Sequence, residues 1–171
     1  AGLAYPVTHS SANGIPLGAE INEKYRRMIL LDTGLLQRIL NLDISDILSS
    51  NDIQLVNRGA IAETFVGTEL VKSASCYSPY PLYCWHREKA GSNAEVDYVV
   101  QLDTRIFPIE VKSGSKGSMQ SMRLFMEAKG IDRGIRTSLE NFSSYDDILV
   151  YPLYAISNIG NLSNRSNLGY S

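Results

Sequence analysis

The chain offers little to a soft metal or to an oxidising compartment. In 171 residues it carries two cysteines, Cys76 and Cys84, and two histidines, His9 and His86. One cysteine pair cannot build the paired knuckles of a zinc ribbon, and a single potential bridge is no disulfide framework. Idle or buried thiols in a reducing, cytoplasmic setting are expected. The histidines are too few and too scattered in sequence for a histidine-based metal cage. No stretch approaches the roughly 20 apolar residues that span a bilayer, so no membrane partner is expected. The amino end, AGLAYPVTHSSANG, has neither the basic run nor the apolar run of a signal peptide. It begins without Met, as a piece of a longer protein would. A phosphate-binding G-x-x-x-x-G-K-[ST] loop is absent, which leaves any ATP binding outside this sequence. An excess of basic residues is absent too. The net charge of −2 argues against a strongly basic nucleic-acid binder.

What is present is an ordinary apolar fraction, 44%, enough for one sizeable core. Its clearest periodicity runs over residues 59–73. There Ile61, Ala62, Phe65, Val66, Leu70 and Val71 fall on one helical stripe and Glu63 lies on its flank. Pro79 and Pro81 break that helix and lead into a strand, LYCWH. Two further strands follow, EVDYVVQL and RIFPIEVK. A Gly/Ser loop then opens a helix that ends at Gly130, and strands are expected at 134–138 and 147–153. Residues 1–58 are loosely patterned: a short apolar strand at 28–32, a helix at 33–42, an ambiguous run to 58. We read them as a mostly helical accessory segment packed on a core at 59–156, with a polar tail at 157–171. Trp85, Tyr98 and Phe125 read as core.

The two strands before the Gly/Ser loop fix a geometry. If Asp103 and Thr104 make the turn, Leu102 faces Arg105, and counting outward sets Asp97 across from Glu110. Opposed residues share a face, so Asp97, Glu110 and Lys112 would lie together. A slip of one residue would separate them unless a bulge compensated. Two carboxylates side by side repel unless a cation lies between them. Mg2+ or Mn2+ suits such oxygen ligands, and a lysine beside the ion suits phosphate chemistry. Glu63, from the preceding helix, is the natural third carboxylate. Six basic residues against two acids between 112 and 136 form a local positive stretch. From it Lys116, Arg123 and Arg136 are candidate phosphate contacts, with Gln101 and Ser138 as weaker ones.

Glu63, then Asp97, then Glu110-Val111-Lys112 resembles the motif of the PD-(D/E)xK nuclease superfamily, although Val96 stands where the name places proline. More narrowly, LLDTGLL at 30–36, GAIAETFVGTELV at 59–71, WHREKAGSNAEVDYVV at 85–100, PIEVKSG at 108–114 and YPLYAI at 151–156 resemble the carboxy-terminal domain of unknown function of bacterial and archaeal AAA-type ATPases. The resemblance implies an α/β, restriction-endonuclease-like fold of order αβββαβ, with a mixed sheet flanked by helices and an ATPase domain attached in the longer protein. It implies catalytic roles for Asp97, Glu110, Lys112 and Glu63, with Mg2+ or Mn2+ held by Asp97, Glu110 and Glu63. The expected function is a Mg2+-dependent nuclease-like domain that hydrolyses or binds nucleic acid. The alternative is a catalytically inactive module that binds nucleic acid or protein for the ATPase.

Overall fold

The computed structural model describes residues 2–42, 58–89, 91, 93–114 and 117–162. The ambiguous run before 58, Lys116 and the end of the tail lie largely or wholly outside them. The described residues form an α/β fold around a mixed eight-stranded sheet. Its strands are β1 (Ala4–Ser10), β2 (Ile21–Leu30), β3 (Leu82–His86), β4 (Glu95–Leu102), β5 (Arg105–Glu110), β6 (Gly134–Ser138), β7 (Ser143–Tyr145) and β8 (Ile148–Pro152), in the spatial order β2-β1-β3-β4-β5-β6-β8-β7. The helices are α1 (Thr33–Ile39), α2 (Arg58–Ser73) and α3 (Gln120–Lys129). From α2 to β6 the chain therefore runs helix, three strands, helix, strand.

Apolar spacing explains the layering. Ala62, Val66 and Leu70, four residues apart on α2, pack with Tyr98, Val100, Phe107 and Ile109 on one face of the sheet. On α3, Phe125 packs with Trp85, Val96 and Val99, while Met122 and Met126 pack with Ile148. Trp85, Tyr98 and Phe125 are all buried, as their sequence context suggests. Gly67 lets α2 approach closely, since a Cβ there would run into the Ile29 side chain and the Tyr98 hydroxyl. Gly130, at φ 63, closes α3 in the left-handed conformation.

The amino-terminal segment corrects the expectation of a mostly helical accessory. Its described part holds strands of seven and ten residues and one α-helix of seven. It joins the sheet, with β1 hydrogen-bonded between β2 and β3. The reason is positional. β2 is an edge strand with mostly exposed side chains, so it needs no apolar alternation and leaves no period-2 signal. Only its end, Met28–Leu30, belongs to the apolar run; Asp32 instead caps α1, its Oδ1 accepting from Gly34 N at 2.7 Å and Leu35 N at 3.2 Å. The tail also starts later than 157, because Ile159 in the 3-10 segment Leu153–Asn161 is buried in the core. Cys76 and Cys84 are free thiols, the first exposed and the second buried. Among the described residues no helix is long and apolar enough to cross a membrane.

Candidate active site

The β4–β5 hairpin has the register its turn implies. Leu102 faces Arg105 and Tyr98 faces Ile109, and Asp97 and Glu110 are the next residues along the two strands. Asp103 holds the turn at φ 53, a conformation aspartate tolerates, and Gln101 spends its amide on the Asp103 carbonyl at 3.0 Å rather than on a ligand. On the other side of β4 the ladder is irregular. Tyr83 faces Val99 while Trp85 faces Val96, so two steps along β3 match three along β4. The extra residue falls at Asp97–Tyr98. That bulge is why Val96 packs with Val99, not with Tyr98 and Val100 as strict alternation would have it. Bulges of this kind re-aim a side chain, and here the side chain concerned is Asp97.

Asp97 Oδ2 accepts the Val111 peptide N–H at 2.7 Å. Glu110 is buried at the end of β5. Its Oε1 accepts from Lys112 Nζ at 2.7 Å, and its Oε2 is buried without a hydrogen-bond partner among the described residues. Glu63 stands on α2, where the Tyr98 hydroxyl donates to its backbone carbonyl at 2.7 Å. Burial pushes the Asp97 carboxyl above its ordinary range, against the pull of the Val111 N–H, Arg27 and Lys112. Glu63 and Glu110 are pushed up too, first by burial and then by the charge of Asp97. The four sequence-selected side chains thus form one electrostatic unit. The three carboxyl groups do not offer oxygens all within 4.8 Å of one another.

Arg27 belongs to the same cluster, and the sequence gives no sign of it. Reaching in from β2, its Nη1 lies 3.0 Å from Glu95 Oε1 and its Nη2 lies 3.6 Å from Glu63 Oε2. Nη2 also donates to the Asp97 carbonyl at 2.6 Å, and the guanidinium sits 5.1 Å from the Tyr98 ring centroid. Only the sheet order brings it there, across β1 and β3.

The expected phosphate contacts fare differently. Arg136 is 4% exposed on β6, a strand buried along its whole length, and its Nη1 donates to the Tyr145 hydroxyl at 3.3 Å. It is a structural residue, because a central parallel strand presents neither face to solvent. Ser138 is fully buried, with its Oγ 3.4 Å from the Gly114 carbonyl. Arg123 is half exposed on α3 and pairs with Asp147 at 3.4 Å, on the helix that covers the sheet face opposite α2. Lys116 lies outside the described residues.

The histidines are not scattered in space. Parallel pairing of β1 with β3 sets His9 beside Cys84, and His9, His86 and Glu88 bring ligand atoms within 4.8 Å of one another. The hydrogen bonding argues against a metal there. The His86 peptide N–H donates to His9 Nδ1 at 3.2 Å, so the ring proton sits on Nε2, 3.5 Å from Glu88 Oε1. Metal-ligating histidines donate from their second nitrogen; His9 accepts with it.

These features define a class: an α/β domain whose central hairpin gathers a buried and a half-buried carboxylate and a lysine, flanked by a helix glutamate and an edge-strand arginine. Residues 58–156, more than half of the chain, match the family model described as a domain of unknown function, DUF4143, and the chain belongs to that family. No curated protein and no solved structure matches it.

Proposed function

We propose that this chain is a Mg2+-dependent nuclease-like domain of the PD-(D/E)xK type, with a restriction-endonuclease-like core, working in the cytoplasm beside an AAA-type ATPase domain. The observation that carries the reading is Glu110 Oε2: a buried carboxylate oxygen with no hydrogen-bond partner among the described residues, on the strand paired with that of Asp97 and beside Lys112. Such an atom costs about 1–3 kcal/mol unless something meets it. Asp97 and Glu110 would hold a divalent ion, and two carboxylates leave the remaining positions to water, as Mg2+ prefers. When bound, the ion would make water a stronger nucleophile and offset charge on a phosphate. The Lys112 ammonium is oriented by Glu110 and can donate to a phosphate oxygen. The Val111 N–H holds Asp97 Oδ2 in place.

Calorimetric titration of Mn2+ into the chain and its Asp97→Asn form tests this. The amide still accepts from Val111 N–H, so the fold is kept. One ion per chain in the parent, none in the variant, and Mg2+-dependent cleavage of nucleic acid by the parent alone are expected. Equal ion binding in both forms would sink the proposal.

A second reading rests on Arg27. A resident guanidinium already neutralises part of the cluster, which favours a catalytically inactive module that binds nucleic acid or a protein for the ATPase. Parent and variant would then both be silent to Mn2+.

A further inference from the structure

Beside the carboxylates the surface opens into a pocket of about 450 Å³ whose lining includes Lys24, Tyr25, Arg26, Arg27, His86 and Glu95. Four consecutive residues of one strand share this wall, which a regular strand cannot arrange, because successive side chains point to opposite faces. The register shows how it happens. Thr8 pairs with Arg26 and His9 with Asn22, so Glu23, Lys24 and Tyr25 have no partner on β1 and bulge from the ladder. The bulge turns two cations and an aromatic ring toward the same space.

Their chemistry is mixed in an informative way. Lys24 and Arg26 are exposed, and among the described residues neither belongs to an ion pair. Tyr25 is 51% exposed, yet its ring is not loose: its centroid lies 4.1 Å from that of His86, whose own centroid lies 4.1 Å from buried His9. An exposed aromatic held in place by neighbouring rings has the form of a stacking platform. Free cations around it provide for a backbone of phosphates. Arg27 and Glu95 close the far side of the pocket and touch the candidate active site, Glu95 through Arg27 and Arg27 through Glu63 and the Asp97 carbonyl.

We propose that the β2 bulge is a binding site for single-stranded nucleic acid, with Lys24 and Arg26 on phosphates and Tyr25 stacked on an unpaired base, leading the strand toward Asp97 and Glu110. Stacking needs a base face that a duplex keeps covered, and it tolerates any sequence. This inference rests on the nucleic-acid reading above but not on catalysis.

The test is binding in metal-free buffer, followed by fluorescence anisotropy of labelled oligothymidylate, oligouridylate and duplex DNA. The parent should prefer the single strands, with affinity falling as salt rises. Lys24→Glu with Arg26→Glu should weaken binding by at least about tenfold, and Tyr25→Ala by about fivefold or more. All three side chains are exposed, so folding is preserved and a matching far-UV spectrum checks it. The ratio of the thymidylate and uridylate affinities tells DNA from RNA. Single-strand binding unchanged in the β2 variants, preference for duplex, or no binding by the parent would each overturn the inference. The two proposals fail separately. β2-dependent binding without any Mn2+ site leaves this one standing and removes the nuclease reading; Mn2+-dependent cleavage indifferent to β2 does the reverse.

Discussion

Glu110 and Arg136 are neighbours across β5 and β6 at the centre of the sheet, 7% and 4% exposed, whereas Lys24 and Arg26 stand in solvent on the β2 edge. All four are charged side chains on strands of one sheet. What separates them is the number of neighbouring strands. Between two strands and under helices, a charge must be met by other protein groups, as Arg136 is by the Tyr145 hydroxyl or Glu110 by Lys112. At the edge a charge keeps its water and remains available to a ligand. A basic residue is thus open to a ligand or committed to the fold according to strand order, which local sequence does not encode.

The largest expected effect lies at the centre. Arg136→Met should cost about 3 kcal/mol in a denaturant melt, because it removes a buried guanidinium and its hydrogen bond to the Tyr145 hydroxyl. A cost below about 1 kcal/mol would mean that Arg136 is far less committed to the core than its burial implies.

How much of this was legible follows from the same contrast. The α2 stripe, the β4–β5 register and the Asp97–Glu110–Lys112 grouping rest on contacts close in sequence, set by a two-residue turn. Periodicity and counting recover those. The bulge at Asp97 leaves no trace in the residue pattern, whose strict alternation would set Val96 with Tyr98 rather than with Val99. Arg27 reaches the site across two intervening strands from 36 residues before Glu63, and β2 is too polar to announce itself as a strand. His9 and His86 meet only because β1 runs parallel to β3. Each miss concerns long-range pairing or an edge.

The second effect tests whether the central carboxylates act as one unit. Asp97→Asn should weaken Mn2+ binding by more than about a hundredfold, since loss of even an outer partner costs 10–100-fold. Its stability effect should run the other way. Folded-state values raised by burial mean that Glu63, Asp97 and Glu110 hold protons more tightly in the folded chain. Their stabilising contribution is complete below the ordinary carboxylate range and is lost as pH rises through the raised values. The metal-free parent should therefore lose stability as pH climbs out of that range, and Asp97→Asn should flatten the loss. Mn2+ affinity should rise over the same interval, since the ion competes with protons. A pH-independent Mn2+ isotherm would break the link between burial and cation binding.

A third substitution touches the packing that supports the site. Gly67→Ala would push a methyl group against Ile29 and the Tyr98 hydroxyl, at a cost of about 1–3 kcal/mol. Because that hydroxyl donates to the Glu63 carbonyl, the same change should weaken Mn2+ binding modestly in calorimetry. Lost stability with unchanged ion affinity would assign Tyr98 to packing alone.

The smallest effect is at the edge, and it sharpens the comparison most. Lys24→Glu and Arg26→Glu should each leave the denaturation midpoint within about 0.5 kcal/mol of the parent, for neither side chain has an ion partner to lose among the described residues. Reversing both charges should nevertheless change the salt dependence of oligonucleotide binding, because phosphate contacts set that slope. Edge cations that matter to ligand and not to fold would then stand against central charges that matter to fold. If Arg26→Glu instead destabilised the chain as Arg136→Met is expected to, the β2 bulge would be a structural joint, and the wall of the pocket would have to be assigned to the core.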